Sequence, residues 1–345
     1  MNPKAGSTPL PVLILFGPTA SGKTALAERL FTGANALCRA EVISADSMQV
    51  YRGMDIGTAK PELELQKILP HHLIDIRNPD EQFNAGDFVR LADKACLDIK
   101  GRSALPVILG GTGFYLKNFM YGLPASPPAD KALRDTLKKE LEENGAEALA
   151  GRLRRLDPAS AERIHANDAY RLLRALEVCI SSGLPLGSFT QGKTLRKAYR
   201  FLIVGLHCSR EDLYSRINDR CEAMFRRGLS EEVRGLFYKG YTPDDPGLRA
   251  IGYREFFVKN DSRWSISNDK EGVKALIAQN SRRYAKRQET FFRAIPNAAL
   301  EAKSDVRWLS VPAQKAGAEA FSGGEGRSAL DLLSSFIHTE LNLNP

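Results

Sequence analysis

The strongest chemical signal lies in residues 12–24. Five apolar residues, Val12, Leu13, Ile14, Leu15 and Phe16, precede Gly17, Pro18, Thr19, Ala20, Ser21, Gly22, Lys23 and Thr24. The last eight fit G-x-x-x-x-G-K-[ST], and a helical pattern over 25–30 follows. Strand, glycine loop and helix form the setting in which this motif holds phosphate. Glycines let backbone N–H groups converge on phosphate oxygens, and the helix N-terminus adds partial positive charge. Lys23 adds a full charge, and the Thr24 hydroxyl suits Mg²⁺. A chance glycine turn ahead of a helix would not need the lysine and the hydroxyl as well. The motif names a ligand group, a phosphate chain, and leaves the reaction open.

Other residue types narrow it. Asp46 ends the apolar stretch 41–46 and opens Asp46, Ser47, Met48, Gln49, Val50 and Tyr51. At the C-terminal end of a strand in a parallel α/β sheet it faces the ligand crevice. Three roles are open to it: a helix cap with Ser47, an acid beside Mg²⁺, or a general base. His71 and His72 have no third ligand at a useful spacing, so a structural or substrate-lining role is expected rather than metal. Gly110, Gly111, Thr112 and Gly113 end the apolar stretch 105–109, where a ligand or another chain can approach the backbone. A tight strand-to-helix turn accounts for them equally well. Arg171 and Arg174 share a helix face, which on spacing alone reads as solvated. Over 281–293, Arg282, Arg283, Lys286, Arg287 and Arg293 meet one acid, Glu289, with Tyr284, Phe291 and Phe292 interleaved. Basic plus aromatic on one helix is a nucleic-acid footprint, although a solvated helix end is also basic.

The elements that must position these groups follow from hydrophobic period. Strands are expected over 12–16, 41–46, 71–75, 105–109, 199–206 and 307–311, and helices over 83–99, 170–180, 210–227, 230–238 and 273–293. Ser209, followed by Glu211 and Asp212, reads as the cap of the helix that carries Arg216 and Arg220. The proline cluster at 124–128 marks a boundary, beyond which every pattern is helical until about Phe189. The expected fold is α/β: a P-loop NTPase-like parallel sheet core with helices on both faces and an all-helical insertion domain. The expected division is 1–123 for the first part of the core, 124–198 for the insertion and 199–311 for the second part. Residues 312–345 then form a linker, rich in Gly, Ala and Glu over 317–326, and an amphipathic helix over 328–342.

Of 345 residues, 43% are hydrophobic and 26% charged, which suits a globular protein and leaves no 18-residue apolar run for a membrane helix. No secretory leader is evident in residues 1–11. Five cysteines are scattered without C-x-x-C spacing, as expected of reduced thiols in the cytoplasm. The net charge of +8 fits small anions or nucleic acid as partners.

A hydrolysing P-loop NTPase has a second strand ending in an acid that holds Mg²⁺. Here the strand 105–109 ends in Gly110 and Gly111, and the acid at a strand end, Asp46, comes early. Two readings remain: a small-molecule kinase with Asp46 as base, or a transferase that takes a diphosphate ester as donor and expels diphosphate.

The series 17–24, 46–51, 110–113, 249–254 and 286–293 resembles, in order and spacing over about residues 12–311, the motifs of the tRNA dimethylallyltransferases. That resemblance implies transfer of a dimethylallyl group from dimethylallyl diphosphate to the exocyclic amine of the adenosine 3′ of the anticodon, in tRNAs reading codons that begin with U. It implies Asp46 as general base, and Lys23, Thr19 and an arginine, Arg220 ahead of Arg216, on the departing diphosphate, with Mg²⁺ on Thr24. For the tRNA anticodon stem-loop it implies Asp46, Ser47, Met48, Gln49, Thr112, Arg134, Tyr170, Arg171, Leu172, Leu173 and Arg174. It adds Arg249, Ala250, Ile251, Gly252, Tyr253 and Arg254, and Lys286, Arg287, Gln288, Glu289, Thr290, Phe291, Phe292 and Arg293. The expected protein is a cytoplasmic monomer without a membrane anchor. Eukaryotic relatives often carry a Cys/His zinc finger after the core; no cysteine follows Cys221, so no structural zinc is expected. Rival expectations are an adenylate isopentenyltransferase, with a free nucleotide as acceptor, and a P-loop small-molecule kinase.

Overall fold

The computed structural model describes residues 8–128, 130–192, 194–301 and 306–310, with Ser334, Ile337 and His338 beyond them. It divides into two compact units, 1–120 with 194–345, and 121–193. The chain begins with β1 (Leu10–Phe16), α1 (Lys23–Phe31), β2 (Ala40–Ser44), α2 (Leu63–Ile68) and β3 (His71–His72). Next come α3 (Ala85–Gly101), β4 (Leu105–Gly110) and α4 (Gly113–Tyr121). The second unit holds α5 (Lys131–Leu156), α6 (Pro158–Arg163) and α7 (Ala169–Ser182). The first unit resumes with β5 (Tyr199–His207), α8 (Arg210–Arg226), α9 (Leu229–Tyr238), β6 (Phe257–Asn260), β7 (Arg263–Ile266), α10 (Lys270–Glu301) and β8 (Val306–Ser310).

Six strands form one sheet in the order β3-β2-β4-β1-β5-β8, and every pairing is parallel. β1 lies inside it, Leu13 facing Val107 of β4 and Leu202 of β5. Both faces are covered, which is why β1 reads as an unbroken apolar run. Leu13 and Leu15 share a core with Leu26, Ala27 and Leu30 of α1. On the alternate face Phe16 lies 4.7 Å, ring to ring, from Phe292 of α10, and Phe201 meets Phe119 of α4 at 6.0 Å. Ile337 is buried in the first of these cores. The linker expected over 317–326 lies outside the described residues, as does the helix expected over 328–342 apart from Ser334, Ile337 and His338.

Local signals place the helices. Ser209 Oγ accepts the Asp212 N–H at 3.1 Å and caps α8. Asn84 and Asp87 form a reciprocal capping box on α3. The hairpin β6–β7 was not expected from the sequence. Asp261 and Ser262 take φ of 43° and 72°, the two left-handed residues of a type I′ turn. Its strands are four residues each and only Phe257 is buried, so no apolar alternation announces them.

The helical unit has its own core, with Leu137, Leu149 and Leu153 packed on Leu172, Ala175 and Leu176. Gly145, at φ 76°, breaks the long α5. Buried Glu177 accepts the Asp130 N–H at 2.8 Å, Arg134 at 2.6 Å and Arg174 at 2.9 Å. Burial pushes its carboxyl up, but the Arg174 and Arg134 hydrogen bonds outweigh this and hold it below the usual range. Arg134 and Arg174, expected to grip RNA, are thus committed to an internal carboxylate. Glu177→Ala strands two arginines at a buried site and is expected to cost about 3 kcal/mol, read as a lower urea midpoint.

Candidate active site

The loop after β1 is shaped for an anion. A Cβ at Gly17 would stand 2.8 Å from Ser21 Oγ and 3.1 Å from Leu206, so a larger residue there would have to push its neighbours aside. Ala20 and Gly22 take φ of 62° and 90°, which turns the loop back before α1 starts. Ser21 Oγ is buried and without a hydrogen-bond partner among the described residues. Lys23 folds back and donates to the Gly17 carbonyl at 2.9 Å and the Pro18 carbonyl at 2.7 Å. Burial, and then the Arg220 charge, push its amine down to about 7, while Asp46 pulls the other way.

An anion here favours charged Lys23, so binding and protonation are linked. Below pH 7 the amine is already charged and the affinity is full. Above pH 7 the free protein must take up a proton to bind. Inorganic diphosphate is therefore expected to bind about tenfold more weakly at pH 8 than at pH 6, relative to a Lys23→Arg control in which the ligand's own titration cancels. Calorimetry in buffers of different ionisation enthalpy reads the proton uptake directly.

Arg220 reaches from α8 and donates to Thr19 Oγ1 at 3.2 Å. Burial lowers the proton affinity of its guanidinium, and Asp46 opposes this. The strand expected over 41–46 stops at Ser44, so Asp46 sits in the loop just past β2. Its Oδ1 accepts the N–H groups of Met48 at 2.8 Å and Gln49 at 3.3 Å. No helix follows, so Asp46 is not a helix cap; its Oδ1 closes the turn after β2, and Oδ2 is left for chemistry. Thr112 Oγ1 accepts the Ser47 N–H at 3.1 Å, tying the loop after β4 to the Asp46 loop.

These groups meet in a cleft of about 270 Å³ lined by Thr19, Asp46, Arg220 and Tyr284. Met48, Ile217, Met224, Ile251 and Ile277 supply an apolar wall. Ile217, Arg220, Cys221 and Met224 fall at i, i+3, i+4 and i+7 on α8, so one helix face carries both the cation and the apolar lining. Tyr284 was passed over as a site residue. Burial and then the Asp46 charge push its phenol up to about 12, while nearby Thr112, the Arg287 charge and Gln288 oppose this. The signal available for it was its place two residues before Lys286.

The residues expected on RNA separate by face. Arg249, Arg254, Lys286, Arg287, Thr290 and Arg293 are exposed, as are Tyr170 and Arg171 in the helical unit. Ser47, Met48, Thr112, Leu173, Ile251, Glu289 and Phe291 are half-buried. Leu172, Ala250, Gly252, Tyr253, Gln288 and Phe292 are buried, although Ala250 and Gly252 line the cleft. Tyr253 donates to Glu232 at 2.6 Å and accepts the Gly57 N–H at 3.1 Å. Glu232 also accepts the N–H groups of Asp55, Ile56 and Gly57 at 3.0, 2.8 and 3.2 Å, so it clasps two loops of the cleft wall. Gln49 likewise braces its own loop, accepting from Ser44 Oγ at 2.8 Å and donating to the Ala59 carbonyl at 3.2 Å. His72 bonds Glu41 at 2.7 Å and His71 the Leu69 carbonyl at 2.7 Å, both structural.

Among the described residues no three His, Cys, Asp or Glu side chains gather as a metal cage. What the site offers is oxygen from the Thr24 hydroxyl, in the first turn of α1. That sparse set fits Mg²⁺, which keeps several waters and takes phosphate oxygens alongside one or two protein ligands.

Residues 49–295 match the family model of IPP transferase. The tRNA dimethylallyltransferase of Geobacter sulfurreducens is 44% identical over 314 residues, 91% of this chain and 96% of that protein. The enzyme of that name from Geobacillus kaustophilus is 45% identical over 287 residues, 82% of this chain and 87% of its own. Among solved structures, the full-length tRNA isopentenylpyrophosphate transferase of Bacillus halodurans aligns with a TM-score of 0.61 at 34% identity, over 96% of this chain and 97% of that one. A eukaryotic dimethylallyltransferase captured acting on tRNA aligns at 0.71 with 25% identity, over 95% of this chain and 79% of its own. With the phosphate loop, the acid and the apolar wall in one cleft, the chain belongs to the IPP transferase family, the tRNA dimethylallyltransferases.

Proposed function

We propose that the protein transfers a dimethylallyl group from dimethylallyl diphosphate to the exocyclic amine of the adenosine 3′ of the anticodon, in tRNAs reading codons that begin with U. The observation that carries this is the convergence of Arg220, Thr19 and Asp46 on one cleft with an apolar wall. An allylic C–O bond ionises readily because the cation is delocalised, so the protein's main task is to hold the departing diphosphate. Amides of the 17–22 loop other than that of Thr19, with Lys23 and Arg220, do this, in a partly water-free site where such charges act strongly. Mg²⁺, held by Thr24 and the diphosphate, would neutralise charge on the leaving oxygens when bound.

The prenyl chain lies along Met48, Ile217, Met224 and Ile277. The adenine amine is a weak nucleophile because its lone pair is shared with the ring. The new bond joins that nitrogen to the allylic carbon, the carbon–oxygen bond to diphosphate breaks, and Asp46 Oδ2 accepts the proton the nitrogen sheds. A base stacked in an anticodon loop must first be flipped out, costing a few kcal/mol. The exposed cations Arg249, Arg254, Lys286, Arg287 and Arg293, with Tyr170 and Arg171 of the helical unit, supply the grip on the RNA backbone that offsets it.

The test is direct. Purified protein, unmodified tRNA, dimethylallyl diphosphate and Mg²⁺ are incubated, and the nucleosides are separated by mass. Isopentenyladenosine is the expected product. Transfer to free AMP with none to tRNA would replace this reading with the adenylate reaction, and phosphate moving from ATP to a small acceptor would replace it with a kinase.

A further inference from the structure

Gln288 stands in the basic run of α10, yet it is 5% exposed and points inward. Its Oε1 accepts the Thr19 N–H at 2.8 Å, and its Nε2 donates to the Gly111 carbonyl at 2.8 Å. The two partners fix the amide's orientation, since a backbone N–H can only donate and a carbonyl can only accept. The fit leaves no slack: a Cβ at Gly111 would sit 2.2 Å from Nε2. The Thr19 N–H is thereby committed to Gln288, and the Thr19 hydroxyl is left to receive Arg220 at 3.2 Å. One polar chain therefore runs from Gly111 through Gln288 and Thr19 to Arg220, joining the loops after β4 and β1 to α8.

We propose that Gln288 is a positioning residue for the leaving group rather than an RNA contact. By holding the Thr19 amide it sets the Thr19 hydroxyl, and through it Arg220, where the diphosphate departs. This rests on the reading of the 17–24 loop as a diphosphate site. A buried amide with both ends satisfied is a precise spacer, because leaving either end unpaired is costly. A small misplacement of a group that stabilises the transition state is enough to cost about a hundredfold in rate.

The test measures binding of inorganic diphosphate and of tRNA separately, then turnover. Gln288→Met keeps the length and the burial and removes both hydrogen bonds. It is expected to weaken diphosphate about tenfold and to lower kcat about a hundredfold, with tRNA affinity and its salt dependence within twofold of the parent. Gln288→Glu keeps the acceptor for Thr19 but opposes the Gly111 carbonyl and brings a negative charge to the loop. It is expected to weaken diphosphate further than Gln288→Met. Lys286→Ser, on the exposed face, should do the reverse: weaker tRNA, a flatter salt slope and unchanged diphosphate. If Gln288→Met does not fold, Gly111→Ala displaces the same amide from the other side and should give the same split.

Weaker tRNA with unchanged diphosphate would return Gln288 to the RNA face and overturn the proposal. So would equal loss of both ligands together with a lowered melting temperature, or parental behaviour throughout. A parent protein that binds no diphosphate would take down the diphosphate reading as well, which separates the two failures.

Discussion

Asp46→Asn is expected to lower turnover about a hundredfold or more while tRNA affinity stays within twofold, the range of a lost general base. Asparagine is the informative substitution because of what Oδ1 does. That oxygen accepts the Met48 and Gln49 N–H groups at 2.8 and 3.3 Å, and an amide oxygen can go on doing so. The loop therefore stays in place, and only the charge and the proton acceptor are lost. Asp46→Ala removes the turn-closing acceptor as well, so any further loss beyond Asp46→Asn measures the loop's placement. Asp46 also supports the charge on Lys23 and Arg220. In Asp46→Asn the pH at which diphosphate binding weakens should accordingly move below 7. Parental turnover in single-turnover assays of Asp46→Asn would leave Asp46 a turn-closing residue and nothing more.

Arg220→Gln should give a fall of comparable size on the opposite side of the reaction. The guanidinium is half-buried in the cleft, and its bond to Thr19 aims it at the mouth of the phosphate loop. Removing one such preorganised donor costs about a hundredfold to a thousandfold in rate, about 3–4 kcal/mol. The loss should appear in kcat with saturating donor and leave tRNA binding unchanged. Arg220→Lys should recover only part of it, since a point charge cannot hold Thr19 and diphosphate in one fork. A loss confined to tRNA affinity would move Arg220 to the RNA side of the cleft.

The two substitutions bracket the bond being exchanged, so together they separate nucleophile activation from leaving-group departure. In Arg220→Gln the pH at which diphosphate binding weakens should instead move above 7, because the Arg220 charge helps to push the Lys23 amine down.

Much of this was open to reading in the chain. Phe16 to Thr24 is local chemistry: a strand, two glycines, a lysine and a hydroxyl within one turn of each other. Ser209 capping α8 was equally plain, because a cap depends on residues three positions apart. Arg220 was singled out through the family resemblance, while its place on one helix face with Ile217 and Met224 came from the structure. Periodicity shows that a helix has an apolar face but does not say whether that face meets protein or ligand. The hairpin β6–β7 escaped because its strands bury little.

The residue types in each motif, their order and the backbone turns between them are properties of short stretches, and the chain dictated them alone: the phosphate cradle, the acid past the second strand and the basic aromatic helix. Only folding decided which member of each motif faces the cleft. Thr19 and Gln288 are 269 residues apart, and Arg134 and Arg174 turn inward because Glu177 is buried between them. Burial of a side chain is set by what packs against its helix from far along the chain, and no local spacing carries that information.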